Sequence, residues 1–294
     1  MAAGSWLVSR KSQRISNPLL IYAAVEFAVG VLALVFHTVF VSTQGFLHDT
    51  LLPNIASPLI AEGAKWILGV VILLPQAVLI GSTFPLMSAA ISRAFPEAPG
   101  YVLSGLYFSN SFGAAVGVLA SGFVLIKLVG LPGTLVTAGL VNLGLAIVLW
   151  RLSKLIHLKP GGEADSKSPG NSESHLQEPD SFPTRLAAAL ALATGAATFV
   201  YEIAWTRMLS LVLGGSTHSF ELMLSAMILG IATGSLWIRR RIDKYRSLLP
   251  VLSIAIALKG ATAIATMPVY AQTFDWMQSL QLALSKTDFA YSLM

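Results

Sequence analysis

Glu202 is the residue whose type and position point most directly to chemistry. It lies in the segment YEIAWTR, about 16 residues into an apolar stretch and therefore roughly 24 Å along a helix. An ionisable group at that depth in a bilayer is costly and usually faces the bundle interior or a cavity. Two interpretations stay open. Glu202 receives a cationic or protonated substrate, or it takes part with Arg207 in structural pairing near the outer interface. Because Arg207 lies about 140° round the helix from Glu202, each needs a partner from elsewhere.

Arg207 and four further residues are candidates for binding a substrate. Tyr201 and Trp205 are one turn apart and would form a wall for cation–π contact, although an interfacial aromatic belt explains the same pair. Lys259 lies in the middle of another apolar stretch, where Glu202 is one available partner for its charge. Asn110 fits an interhelical hydrogen bond, which is a structural role.

Three other features have mainly structural interpretations. Glu221 lies near the start of an apolar stretch and fits stabilisation of a helix N-terminus. Glu26 fits a side chain that reaches toward the membrane surface. Gly113, Gly117 and Gly122 predict a face of small residues for close helix packing.

The sequence predicts no catalytic residue, metal site or cofactor. Cysteine is absent, and the five histidines are scattered without an i, i+4 pair. No Ser-His-Asp arrangement can be proposed, and no Gly-rich strand–helix turn of the nucleotide-binding kind is present. For this chain, the residues therefore favour a binding or transport role over an enzymatic one.

The amino-acid composition indicates the class of protein in which these residues lie. Hydrophobic residues make up 55% of the 294 residues and charged residues only 11%, with a mean hydropathy of +0.72. A soluble protein carries about 25% charged residues, so an ordinary soluble enzyme is excluded, and disorder is excluded by the apolar content. The net charge of +5 is explained better by basic loops beside a lipid bilayer than by binding to nucleic acid.

The fold class predicted is an all-α, polytopic membrane helical bundle. About seven stretches approach or exceed the roughly 20 apolar residues that a transmembrane helix needs. These predicted spans cover residues 18–41, 65–91, 101–128, 131–150, 186–213, 218–238 and 248–270.

Lysine and arginine set the predicted orientation. Most of them fall before the first span, between the fourth and fifth, and between the sixth and seventh, which are loops on one side if the helices alternate. The N-terminus and the linker at 152–184, rich in Ser, Pro, Gly and acidic residues, are therefore expected to be cytoplasmic. The expected organisation is a partial bundle of four helices at 1–151, this flexible linker, and a partial bundle of three helices and a tail at 185–294.

An internal repeat extends this organisation. Residues 2–34 align without a gap to residues 232–264, and the most informative matches are a Gly-Ser pair, the basic residues after it and the apolar stretch that follows. Helices that precede or follow one copy have no counterpart around the other. If the missing counterpart helices are added around each copy, the pattern becomes two bundles of six helices. The 294 residues are therefore expected to be the middle of a twelve-helix protein.

Several segments resemble one known family. They are GAATFVYEIAWTRMLSLVLGGSTHSF, MILGIATGS, LLPQAVLIGSTFPLMSAA and LYFSNSFGAAVGVLASGFVLIKLVGLPGTLVTAGLVNL. With the six-plus-six pattern, they resemble the membrane portion of the fused major-facilitator/spermidine synthase-like proteins of bacteria. The likeness spans most of the chain outside the linker and the last twenty or so residues.

The resemblance implies a major-facilitator-like fold in the bacterial inner membrane. It also implies recognition or translocation of a small cationic metabolite such as a polyamine, with Glu202 supplying charge. The family's aminopropyltransferase-like domain has no match here, so its catalytic activity is not carried over. Two alternatives stay open: a membrane anchor for a separate transferase domain, and a truncated fragment without independent activity.

Overall fold

The computed structural model describes residues 1–11, 15–95, 99–155, 184–213, 216–241, 245 and 249–284. Within these residues every regular element is helical, which confirms an all-α fold. The α-helices are α1 (Ala2–Lys11), α2 (Pro18–Gly45), α3 (Pro58–Ala94), α4 (Pro99–Leu119), α5 (Ile126–Leu155), α6 (Thr184–Leu213), α7 (Ser216–Arg239) and α8 (Leu249–Leu284).

Three short segments of other helix types lie in two of the connections between these helices. The π-helical segment Phe46–Leu51 and the 3-10 turn Leu52–Asn54 follow α2, and the π-helical segment Ala120–Leu125 joins α4 to α5. The helices therefore run beyond several predicted span boundaries. The first span was predicted to end at residue 41, for example, but its helical backbone continues to residue 54.

Six helical stretches in the described residues are long and apolar enough to cross a membrane, and they indicate a multi-pass integral membrane protein. They are Pro18–Asn54, Pro58–Ala94, Gly100–Leu155, Ala188–Leu213, Thr217–Arg239 and Pro250–Ser279. The sequence predicts seven spans because it separates residues 101–128 from residues 131–150. In the structure both lie in one stretch of 56 residues, which would be about 84 Å long if it were straight, far more than one bilayer crossing requires.

Gly130 breaks this long stretch where the sequence predicts a boundary. Its φ of 67° and ψ of −178° are not helical, and no other described residue has a positive φ. This conformation is open essentially to glycine alone. Pro132 follows two residues later, where the first turn of the resumed helix tolerates proline.

The α-carbon contacts divide the described residues into two compact units. One unit comprises the described residues of Met1–Leu106 and Val124–Lys167, and the other those of Tyr107–Phe123 and Ser168–Met294. Helix α5 continues to Leu155, and α6 begins at Thr184, so helix extends into both ends of the predicted linker. The rest of that linker lies outside the described residues.

In the first unit, α2 packs against α5 and α3, and α1 packs against α3. A small apolar core joins the three longer helices; it consists of Leu19, Ala23, Ala90 and Leu149, with Tyr22 packed against it. Asn17 caps α2 by accepting a hydrogen bond from the Leu20 amide at 3.1 Å, and its own amide nitrogen donates to the Ser153 carbonyl at 3.4 Å. The start of α2 is thereby fixed against the end of α5.

Gly30 and Gly139 form a close crossing of α2 with α5. A Cβ built on Gly30 would lie 2.9 Å from the Gly139 carbonyl oxygen, and one built on Gly139 would lie 3.0 Å from the Gly30 carbonyl oxygen. Small residues at such a crossing let two helix backbones approach closely, as is common in membranes. Any larger side chain here must push the helices apart.

Replacing Gly139 with leucine should therefore destabilise the protein, whereas the same change at Gly144 should not. Both residues lie in α5, but a Cβ on Gly144 would have nothing within 4 Å among the described residues. Overpacking at Gly139 should cost about 1–3 kcal/mol of unfolding free energy, while Gly144→Leu should gain up to about 1 kcal/mol from helix propensity. SDS-induced unfolding of both variants in mixed micelles measures the difference, and equal unfolding curves would refute the close crossing.

Candidate functional site

One face of α6 carries three of the predicted site residues together with a residue that sequence reasoning missed. Thr198, Tyr201, Glu202 and Trp205 follow the three- and four-residue spacing of a single helical face. The Tyr201 and Trp205 rings are stacked, with centroids 5.5 Å apart and ring planes at 19°. Tyr201, Glu202 and Trp205 are each half-buried, so this face is neither a sealed core nor an open surface.

Lys259 reaches this face from α8. Its Nζ donates a hydrogen bond to the Thr198 hydroxyl and lies 5.6 Å from the centroid of the Tyr201 ring. The Thr198 hydroxyl donates its own proton to the Thr194 carbonyl oxygen at 2.7 Å, so toward Lys259 it acts as an acceptor. The lysine is thus held by a hydroxyl oxygen and the face of an aromatic ring, both uncharged.

Glu202 does not form either of the ion pairs considered from the sequence. Among the described residues, the only ion pairs within 4.0 Å are Lys65 with Glu62 and His218 with Glu221. Glu202 therefore has neither Lys259 nor Arg207 at ion-pair distance. Its place one turn beyond Thr198 nevertheless puts it on the face that Lys259 approaches. We call Thr198, Tyr201, Glu202, Trp205 and Lys259 the α6–α8 site.

The remaining two predicted site residues are placed elsewhere. Arg207 is exposed on another part of α6, and Asn110 is exposed on α4. Within the described part of the chain, the Asn110 side chain makes no hydrogen bond to another helix, so the structural role predicted for it is not seen. The structure brings Lys259 to Tyr201, which stacks on Trp205, and Glu202 lies on the same face of α6, whereas Arg207 and Asn110 lie outside this group.

A second ionisable cluster lies near the start of α7. His218 Nδ1 is 3.0 Å from Glu221 Oε2, and the Glu221 side chain is only 10% exposed. The imidazole also stacks on the Phe123 ring, with centroids 5.0 Å apart. The sequence indicated that Glu221 stabilises the N-terminus of a helix. In the structure, its carboxylate also pairs with His218. The i, i+3 spacing of the two residues was the signal that sequence reasoning did not use.

Gly122 makes room for this carboxylate. A Cβ on Gly122 would lie 2.1 Å from the Glu221 Cδ atom, whereas a Cβ on Gly113 or Gly117 would have nothing within 4 Å among the described residues. The predicted face of small residues is therefore not a uniform packing surface. Only Gly122, in the π-helical segment after α4, accommodates a neighbouring side chain.

Glu26 is the buried acid of the first unit. It is 7% exposed, and Tyr22, one turn earlier on α2, is its hydrogen-bond partner. This position corrects the expectation that Glu26 extends to the membrane surface. A groove of about 420 Å³ between α2 and α5 is lined by apolar residues such as Phe27 and Trp150, so it offers no counter-charge to a ligand.

No group of three or more His, Cys, Asp or Glu side chains suited to a metal ion occurs among the described residues. Comparisons of the chain with protein-family models, curated proteins and solved structures found no match.

Substituting alanine for Gly122 should break the His218–Glu221 pair, because the new methyl group would occupy the space of the carboxylate. Gly117→Ala is the matched control in the same helical stretch, where alanine should add up to about 1 kcal/mol of stability. We expect Gly122→Ala to lower the melting temperature and Gly117→Ala to leave it unchanged or raise it.

A double-mutant cycle identifies the cause. If the methyl–carboxylate clash is responsible, Gly122→Ala should cost less in a Glu221→Ala background, since the colliding group is then gone. Strictly additive effects of the two substitutions would exclude the contact as the origin of the loss.

Proposed function

We propose that this membrane protein recognises or translocates a small cationic metabolite at the α6–α8 site, with Glu202 supplying the negative charge. One observation carries the proposal. Glu202 is a half-buried carboxylate within the candidate span Ala188–Leu213, and no lysine or arginine of the described residues lies within 4.0 Å of it.

The energetics of the bilayer support this role. A charged carboxylate in an apolar span requires a partner or access to water. A ligand ammonium group would supply that partner, and its bond to a charged acceptor is worth about 1.5–3 kcal/mol. The stacked rings of Tyr201 and Trp205 add an aromatic surface beside Glu202, and aromatic faces attract ammonium groups.

The family resemblance supports a polyamine-like ligand and a setting for the chain. We propose that the chain is the membrane region of a spermidine synthase-like fusion with major-facilitator-like architecture. A soluble transferase domain or further helices of the complete protein would then be its partners. The distribution of basic residues supports placement in the bacterial inner membrane with the N-terminus and the linker at 152–184 in the cytoplasm.

Replacing Glu202 with glutamine should weaken binding of radiolabelled putrescine to the full chain in lipid nanodiscs. Losing one charged hydrogen bond predicts a dissociation constant about tenfold to hundredfold higher. Glu62→Gln is the matched control, because Glu62 is exposed and pairs with Lys65. The Glu62→Gln variant should bind putrescine with the affinity of the wild type.

Unchanged affinity of a folded Glu202→Gln variant would show that Glu202 does not hold the cation. If the wild-type chain binds neither putrescine nor the corresponding basic amino acid, ornithine, the recognition proposal is overturned and the membrane-anchor alternative is favoured.

A further inference from the structure

Lys259 is the part of the α6–α8 site that recognition of a simple cation does not explain. It lies in the candidate span Pro250–Ser279 and is half-buried. Its ammonium group contacts the Thr198 hydroxyl and the Tyr201 ring, both uncharged, and no carboxylate of the described residues lies within 4.0 Å of it. A cation at this depth normally pairs with an anion.

The arrangement around Thr198 fixes where this positive charge lies. Thr198 accepts from Lys259 and donates to Thr194, so the hydroxyl cannot reverse its role without losing a bond. Three N–H groups are available on the ammonium, and Thr198 accepts from one of them. The others have no hydrogen-bond acceptor among the described residues.

Glu202 places an opposite charge on the same face of α6. It follows Thr198 by four residues, about one helical turn or 5–6 Å along the axis. The carboxylate and the ammonium are more than 4.0 Å apart, since they form no ion pair. Among the described residues, this separation leaves neither charge with an oppositely charged partner within 4.0 Å, although both lie on the same side of α6.

A ligand with two positive ends fits this arrangement poorly. A diamine that placed one ammonium group on Glu202 would bring further positive charge toward Lys259, and like charges repel strongly where water is scarce. A ligand that carries both an ammonium and a carboxylate group satisfies Glu202 and Lys259 together. Bridging the two side chains also avoids leaving one buried charge uncompensated.

We infer that the α6–α8 site takes a basic amino acid or a similar zwitterionic metabolite, with the ligand carboxylate on Lys259 and a ligand ammonium group on Glu202. This assignment rests on the proposed function and narrows its substrate class. Lys259 is then the specificity-determining residue, because it distinguishes an amino acid from the corresponding amine.

Ornithine and putrescine form a matched pair for the test, since they differ only by the carboxylate group. Binding of both is measured to the full chain in lipid nanodiscs. The wild type should bind ornithine at least tenfold more tightly than putrescine. Lys259→Met should abolish this preference by weakening ornithine binding while leaving putrescine binding equal or stronger.

Lys65→Met is the control, because Lys65 is an exposed residue paired with Glu62, and it should keep the wild-type ratio. The wild-type ratio itself requires no variant, so the test stands even if Lys259→Met does not fold. Equal affinities of the wild type for the two ligands, or an equal loss of both in Lys259→Met, would overturn the zwitterion assignment and leave the proposed function intact. Binding of neither ligand would overturn both.

Discussion

The cost of an unsatisfied polar group in an apolar surrounding is the constraint on which the rest of this structure depends. In a bilayer core the backbone must satisfy its own hydrogen bonds, so every regular element among the described residues is helical. The same cost explains the side chains that remain polar inside the spans. Threonine and serine hydroxyls donate to carbonyls three or four residues earlier, as Thr198 does to Thr194 and Thr134 to Gly130. Ionisable side chains within the spans are fewer, and each requires a partner or access to water.

Three acidic side chains differ in whether a neighbouring residue satisfies the carboxylate. Glu26 is buried beside the Tyr22 hydroxyl, and Glu221 is buried against Gly122 with His218 as its partner. Both are satisfied within their own unit. Glu202 is half-buried and has no such partner among the described residues. This contrast, rather than the presence of a carboxylate in a span, is the reason that we propose the α6–α8 site as the binding site.

The internal repeat shows how far sequence similarity constrains packing. Gly30 and Gly260 occupy equivalent positions in the repeat, yet Gly30 meets Gly139 closely while a Cβ on Gly260 would have nothing within 4 Å among the described residues. Gly4 and Gly234 differ in the same way, since only Gly4 has a neighbouring helix against it. An identical glycine permits a close crossing, but a second helix at the right place is needed to use it.

The sequence alone determined the class of protein, most of the spans and the position of Glu202 within one of them, because hydropathy over about 20 residues and a charge within an apolar stretch are local properties. It also located the break at Gly130, where a glycine and a following proline interrupt the helix. Tertiary structure decided the partners: Lys259 with Thr198 and Tyr201, Glu221 with Gly122, and Gly30 with Gly139. Periodicity gives the face of a helix on which a residue lies, but a contact between residues 61 or 109 positions apart depends on how the helices cross. That crossing is set by the packing of whole helix surfaces, which no short segment of sequence contains.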